Sequence, residues 1–245
     1  MPARIPPHRS AFSLMELLAV MAIIVIMATL AVPAMNAIKG GSDLSKTASD
    51  LSDLVQQARA YAMANNTYVY LGLQEVDPAQ KGYSRNPKGG QIIAAVVAST
   101  TGLRPTANPS APGNLTKDEI QPISRLQKFD NVHLASSGDM GGTGGMADRE
   151  TDSSVVVDLG STEAVTTFEW SAGSGGSPTT LQKVIEFDPQ GVARYQDGSA
   201  AESIKGWIEI PLQPSKGNAG VAANEKNAAA LQVDGMTGAV QIYRP

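Results

Sequence analysis

The sequence predicts an α+β fold in which a long N-terminal helix, membrane-spanning in its first half, packs on a C-terminal antiparallel β-sheet domain. Three observations support this prediction. Residues 12–35 form an apolar run, residues 36–65 carry an apolar stripe at helical spacing, and residues 66–245 alternate short apolar runs with turn residues. The 15 prolines and 24 glycines, with only 17% charged residues, also favour a turn-rich β domain.

The apolar run has the length and composition of a membrane span. About 20 predominantly apolar residues cross a bilayer, and between residues 17 and 32 only Thr29 is polar and no residue is charged. The segment before the run carries Arg4 and Arg9 and no acidic residue. Because positively charged residues stay on the cytoplasmic side, residues 1–11 are predicted to be cytoplasmic and the β-rich part to be periplasmic or extracellular.

Residues 36–65 are predicted to continue this helix in amphipathic form. The apolar stripe recurs at steps of three and four residues, at Leu44, Thr47 or Ala48, Leu51, Leu54 or Val55, Ala58 and Tyr61. The pair Asn65-Asn66 supplies a helix end, since asparagine tolerates the left-handed conformation that often follows the last helical residue. The stripe predicts that this half of the helix packs on the globular domain.

A hinge is predicted within the helix at residues 33–42. Pro33 cannot donate the backbone hydrogen bond of a helix interior, and Gly40 and Gly41 each cost about 1 kcal/mol relative to alanine. Two interpretations fit these residues equally well. The stretch is either a linker between two separate helices or a hinge that unwinds as the chain joins a larger assembly.

Residues 66–245 are numerous enough to bury a sizeable core and contain several predicted strands. Strands are predicted at residues 67–73, 91–99 and 123–135, and hairpins at residues 183–195 and 230–245. The run over residues 91–99 is apolar enough to be buried on both faces.

A further strand, predicted over residues 203–212, alternates along its length. One face of this strand is predicted to carry Ile204, Gly206, Ile208, Ile210 and Leu212. Lys205, Trp207 and Glu209 occupy the opposite face, which is therefore predicted to be polar.

One carboxylate, Glu16, stands at the head of the apolar run. A charge near hydrocarbon is costly, so a partner for this carboxylate is expected. The string AFSLMELLAVMAII, residues 11–24, resembles the class III leader junction of type IV pilins and type II secretion pseudopilins. Ala11 matches the residue before the cut, Phe12 the N-methylated first mature residue, and Glu16 the glutamate at the fifth mature position.

The resemblance implies that prepilin peptidase removes residues 1–11 as a leader and that Phe12 is N-methylated. It also implies that Glu16 meets the terminal amine of a neighbouring subunit, since a matched pair offsets much of the cost of burying either charge. Two alternatives remain open from the residues. One assigns Glu16 only to its own helix, because carboxylates suit the first turn. The other places the cut behind the apolar run, where residues 30–37 offer only poorly matching sites.

The two C-terminal hairpins also resemble H-type minor pseudopilins and related minor pilins. In that group F-x-P-x-G precedes G-x-T-G-x-V and a terminal strand, and this chain has FDPQG at residues 187–191 and GMTGAV at residues 235–240. The resemblance implies a structural minor subunit of a type II secretion pseudopilus or a type IV pilus-like filament. Such a subunit is held by a single span in a bacterial inner membrane.

The inventory of reactive side chains argues against an enzyme. Beyond residue 11, His133 is the only histidine, and the chain has no cysteine, so thiolate chemistry and the usual zinc sites lack their residues. No catalytic residue, metal site or cofactor is predicted. The net charge of -4 leads us to expect no nucleic acid partner.

The expected partners are therefore prepilin peptidase, other pilin or pseudopilin subunits, and the inner membrane. Two other functions remain open from the sequence alone. One is a membrane-anchored or filament-tip β module that binds a substrate, a surface or DNA. The other is an ordinary single-span secreted protein.

Overall fold

The computed structural model describes part of the chain, in two compact units, Met1–Lys39 and Gly40–Pro245. The described residues are 14–80, 83–87, 89–105, 114–140, 146, 148–162, 166–170, 178–195, 204–215 and 227–244, without the side chains of residues 30–40 and 139. One helix, α1 (Leu14–Asn65), begins in the first unit and ends in the second.

The helix α1 ends where the sequence predicts. Asn65 is its last residue, and Asn66 adopts the left-handed conformation with a φ of 48°. The Thr67 backbone N–H donates to the Ala62 carbonyl (3.1 Å), which satisfies one of the last carbonyls of the helix. Helical backbone continues through residues 33–42, and the hinge predicted there stays a prediction.

In the second unit, one stripe of α1 packs against the sheets. Its buried apolar side chains belong to the main hydrophobic core and comprise Leu44, Ala48, Leu51, Leu54, Val55, Ala58 and Ala62. Fully burying a leucine side chain contributes about 1.5–3 kcal/mol. The predicted stripe is confirmed up to Ala58, while Tyr61 is only partly buried and Ala62 takes the buried position.

Among the described residues, fourteen strands follow the helix. In chain order they are β1 (Val69–Val76), β2 (Gln91–Ser99), β3 (Asn114–Leu115), β4 (Ile120–Pro122), β5 (Gln127–Asp130), β6 (Val132–Leu134), β7 (Val156–Asp158), β8 (Thr167–Trp170), β9 (Thr179–Leu181), β10 (Lys183–Phe187), β11 (Ala193–Arg194), β12 (Trp207–Pro214), β13 (Ala229–Asp234) and β14 (Val240–Tyr243). The strand predicted over residues 91–99 is confirmed as β2. The two predicted hairpins are confirmed as β10–β11 and β13–β14.

The strands form three sheets in the second unit. The first has the order β11-β10-β1-β2-β4, with β5 also paired to β2, and all its pairs are antiparallel. The second has the order β14-β13-β12-β6, with β7 parallel to β12. The third has the order β3-β8-β9. The strands β1 and β2 are central in the first sheet, and apart from the partly exposed Gln91 their residues are buried on both faces. The α+β fold, a helix packed on largely antiparallel sheets, is confirmed.

Strand β12 differs from its prediction in position and in burial. It begins later than predicted, so Ile204 lies before the strand and is 37% exposed. Glu209, assigned by alternation to a polar face, is buried. That prediction is wrong because Arg149 and Gln232 enclose the carboxylate of Glu209.

Two glycine turns meet α1 near its C-terminal end. Gly191 has a φ of 84° in the turn between β10 and β11, and Gly238 has a φ of 65° in the turn between β13 and β14. A Cβ added at Gly238 would lie 2.3 Å from the Gly191 carbonyl oxygen and 3.0 Å from Arg59 Cδ. Both the positive φ and this close approach require glycine. The two sequence patterns that resemble minor pseudopilins therefore meet at one place on the helix.

Replacing Gly238 with alanine is expected to lower the free energy of unfolding by about 2–4 kcal/mol, because alanine disfavours this φ and its methyl group would overlap the Gly191 carbonyl. Gly102→Ala is the matched control. Gly102 has a φ of 74°, but the nearest atom to an added Cβ is 3.8 Å away, so this change tests backbone strain alone and should cost about 1 kcal/mol. Urea unfolding measures both variants, and equal losses would contradict the role of the close approach.

Candidate functional site

The candidate site lies at the start of α1. The described part of the helix begins at Leu14, so Ala11 and Phe12, which are predicted to flank the cut, lie outside the described residues. Glu16 lies in the first turn and its side chain is exposed. A carboxylate in this position is favourable within a single chain, because the first turn is the positive end of the helix dipole.

Large apolar side chains surround Glu16 on every side of the helix. We call residues 14–29 the apolar segment. Between residues 14 and 27, the exposed fractions of its large apolar side chains range from 49% at Val20 to 83% at Leu14. An α-helix that is apolar all round is normally a buried one, so this surface is suited to association.

The apolar segment contains two polar residues, the uncharged Thr29 and the charged Glu16. The Thr29 hydroxyl donates to the Ile26 carbonyl (2.8 Å) within its own helix, so it is satisfied locally. Glu16 carries the one charge of the segment, and burying a charge is costly unless a cation accompanies it. A chain that covered the segment would therefore also have to accommodate the charge of Glu16. Among the side chains that the structure describes, no helical stretch is long and apolar enough to cross a membrane.

The predicted hinge residues Pro33, Gly40 and Gly41 lie farther along α1, in continuous helical backbone. At a rise of 1.5 Å per residue, Pro33 is about 25 Å from Glu16 along the helix. The structure therefore does not bring Pro33 and Glu16 together.

The histidine singled out in the sequence has a structural role. His133 Nδ1 lies 2.7 Å from Glu75 Oε2, and the same carboxylate accepts hydrogen bonds from the backbone N–H groups of Gly90 (3.0 Å) and Leu134 (3.3 Å). Glu75 lies on β1 and His133 on β6, so the pair connects the first sheet to the second. Within the described part of the chain, no three metal-ligating side chains form a group that would hold an ion.

A buried charge cluster that the sequence analysis missed lies on the second sheet. Glu209 Oε1 lies 2.7 Å from Arg149 Nη1, and Glu209 Oε2 accepts a hydrogen bond of 2.7 Å from Gln232 Nε2. The side chains of Arg149 and Glu209 are only 6% and 1% exposed. Burial raises the pKa of the Glu209 carboxyl above its ordinary value, although the hydrogen bond from Gln232 and the charge of Arg149 act in the opposite direction.

This cluster also fixes the loop before β7. Gln232 Nε2 donates to the Glu150 carbonyl (2.6 Å) as well as to Glu209, so the acidic loop of residues 148–152 is attached to β13. Arg149 and Glu209 are 60 residues apart in the chain. No local sequence pattern marks such a pairing, and only the tertiary structure reveals it.

The start of the chain matches a known protein family. Residues 6–32, which include Ala11, Phe12 and Glu16, match the family described as "Prokaryotic N-terminal methylation motif". This motif is the class III prepilin leader that is typical of type IV pilins and pseudopilins. No curated protein and no solved structure matched the chain.

The matched leader has direct implications for function. It implies processing by prepilin peptidase, anchoring in the inner membrane before assembly, and assembly with other pilins. It also implies that the globular part lies outside the cytoplasm. Proteins with this leader are structural subunits, which suggests a non-enzymatic role for this chain.

Proposed function

We propose that this chain is a minor pilin or pseudopilin subunit. Prepilin peptidase processes it, and it assembles through the start of α1 into a type II secretion pseudopilus or a type IV pilus-like filament. One observation carries the proposal: the methylation motif of residues 6–32 coincides with the apolar segment of α1, whose large apolar side chains are exposed all round and whose one charge is Glu16. Before assembly, residues 12–35 form the single membrane span.

The first step is removal of the leader. In this proposal prepilin peptidase cuts between Ala11 and Phe12, which leaves a cationic α-amine on Phe12. An α-amino group has a pKa of about 7.7–8.0, and N-methylation keeps it basic. In the sequence, this cation is four residues before Glu16.

The second step is docking of the apolar segment against a neighbouring subunit. Glu16 of one subunit pairs with the Phe12 amine of the next, so that neither charge is buried alone. No other acidic residue occurs between Glu16 and Asp43. A shifted neighbour would therefore find no carboxylate on the apolar surface, and the pair selects one register of assembly.

The C-terminal turns support the finer assignment to minor subunits. The F-x-P-x-G and G-x-T-G-x-V patterns form the turns at Gly191 and Gly238, and a Cβ added at either glycine would lie 3.2 Å or less from an Arg59 atom. The patterns therefore have a shared structural reason, which is to seat two hairpins on the helix. On this basis we assign the chain to the H-type minor pseudopilins and related minor pilins.

Cleavage at Ala11 gives a direct test of the first step. Ala11→Asp is expected to leave an uncleaved, membrane-retained precursor, because an acidic side chain replaces the small residue before the cut. Ala11→Gly is the matched control and should be processed at least as fast as the wild type, since glycine is the commoner residue of the motif. Mature size on a gel or by mass reports the outcome, and normal processing of Ala11→Asp would refute the assigned cleavage site.

A further inference from the structure

Gly41 lies in α1 without a structural requirement for glycine. Its backbone is helical, and a Cβ added there would meet no atom within 4 Å. An alanine would therefore fit without strain and would favour the helix more than glycine does. Gly40 and Gly41 therefore weaken the helix locally, at the first residues of the second unit.

Two polar contacts hold the helix directly after these glycines. Asn131 Nδ2 donates to Asp43 Oδ2 (2.9 Å). Arg244 Nη1 donates to Ser45 Oγ (2.7 Å), and Arg244 Nη2 donates to the Ser45 carbonyl (3.2 Å). These contacts come from two separate places in the fold, the turn between β5 and β6 and the residue after β14.

Asn131 is itself held in place. It has a φ of 61°, in the left-handed region that asparagine tolerates, and its carbonyl accepts a hydrogen bond of 2.7 Å from the Ser215 backbone N–H. The side chain of Asn131 is therefore presented to Asp43 by a fixed turn rather than by a free loop.

Core burial of the helix begins at the same position. Gly41, Ser42 and Asp43 are partly or fully exposed, whereas Leu44 is buried and only 4% exposed. Unwinding that stops at Ser42 would expose no core side chain. Unwinding that passed Leu44 would begin to open the main core.

We propose that Asn131 and Arg244 hold α1 at Asp43 and Ser45, so that the helix can unwind at Gly40 and Gly41 during docking without the unwinding reaching the core. The inference rests on the proposed function in one respect only: it takes docking as the event during which the helix unwinds at Gly40 and Gly41. The weak stretch and its boundary belong to the single subunit, and they are measurable before any assembly takes place.

Amide hydrogen exchange on the full chain in detergent micelles tests this inference residue by residue. In the wild type, we expect fast exchange at residues 40–42 and strong protection at residues 47–62. Asn131→Gly combined with Arg244→Ala removes both contacts, and glycine keeps the positive φ at position 131. This double variant should exchange on the order of tenfold faster at residues 43–47, with no change at residues 51–62.

Two further variants complete the experiment. Gly40→Ala with Gly41→Ala should slow exchange across residues 40–43 by about tenfold. Arg125→Ala, which removes an exposed arginine elsewhere, is the matched control and should change nothing in the helix. Wild-type protection at residues 40–42 equal to that at residues 51–62 would overturn the inference, as would unchanged exchange at residues 43–47 in the double variant. Neither result depends on cleavage or assembly, so failure here is distinct from failure of the proposed function.

Discussion

Replacing Glu16 with alanine is expected to stop incorporation of the subunit into the filament while leaving leader removal and membrane insertion intact. The substitution removes the one charge of the apolar segment, so insertion should be no worse. In the proposed assembly, the substitution removes the partner of the neighbour's Phe12 amine. An unpaired buried charge costs about 3–5 kcal/mol, which corresponds to docking weakened by roughly 10²–10⁴-fold.

The same experiment separates the two roles proposed for Glu16. Glu16→Gln keeps size and hydrogen bonding but removes the charge, so the intermolecular role predicts that it fails like Glu16→Ala. The intramolecular role predicts only a loss of about 0.3–1 kcal/mol in helix stability and near-normal assembly. Asp53→Ala, an exposed carboxylate on the same helix, is the matched control. Cross-linking of subunits in membranes compares the variants, and normal assembly of both Glu16 variants would retire the intermolecular role.

Replacing Arg149 with leucine is expected to lower the free energy of unfolding by about 3–5 kcal/mol near pH 7, because it leaves the buried Glu209 carboxylate without its cation. Urea unfolding of the processed chain in detergent, followed by tryptophan fluorescence, measures the loss. Trp207 lies on β12 two residues from Glu209 and is a local reporter. Arg194→Leu is the matched control. Its partner Asp188 also accepts hydrogen bonds from the backbone N–H groups of Gln190 and Val192, so this carboxylate keeps hydrogen-bond donors when the arginine is removed.

The pH dependence of the Arg149 variant has a defined sign. Burial raises the pKa of Glu209 in the folded state above its unfolded value of about 4.3, so the folded state binds this proton more tightly. The associated stability is fully present below the unfolded pKa and is lost as pH rises through the folded pKa. Removing Arg149 raises the folded pKa further, so the deficit of the variant should shrink as the pH falls from 7 toward 4.

A double variant completes this test. Arg149→Leu with Glu209→Leu should recover much of the lost stability, because an apolar pair of similar volume often replaces a buried ion pair without loss. The double-mutant cycle isolates the coupling between the two side chains. A deficit that is independent of pH and unchanged in the double variant would contradict an unpaired Glu209 as its cause.

The helix and the hairpins were predictable because their signals are local. The 3.6-residue period of the stripe, the Asn65-Asn66 end and the turn residues around Gly191 and Gly238 all act within a few residues. The structure confirms the helix end and the turns, and it confirms the stripe up to Ala58. The methylation motif is equally local, since one short string carries both the predicted cleavage junction and Glu16.

The burial of Glu209 was not predictable because its cause is not local. Alternation along a strand assigns successive side chains to opposite faces of the sheet, but it does not tell which loop covers each face. Arg149 reaches Glu209 from a loop 60 residues earlier, and Gln232 reaches it from the adjacent strand β13. The same limit applies to Asn131 and Arg244, whose contacts with α1 join positions 88 and 199 residues apart.

The mature amino terminus tests the central claim most directly. Mass spectrometry of the protein isolated from membranes is expected to show a chain that begins at Phe12 and carries one additional methyl group on its α-amine. A chain that retains residues 1–11, or one that begins at Met35, Ile38 or elsewhere beyond Pro33, would contradict the assignment of this protein as a processed pilin or pseudopilin.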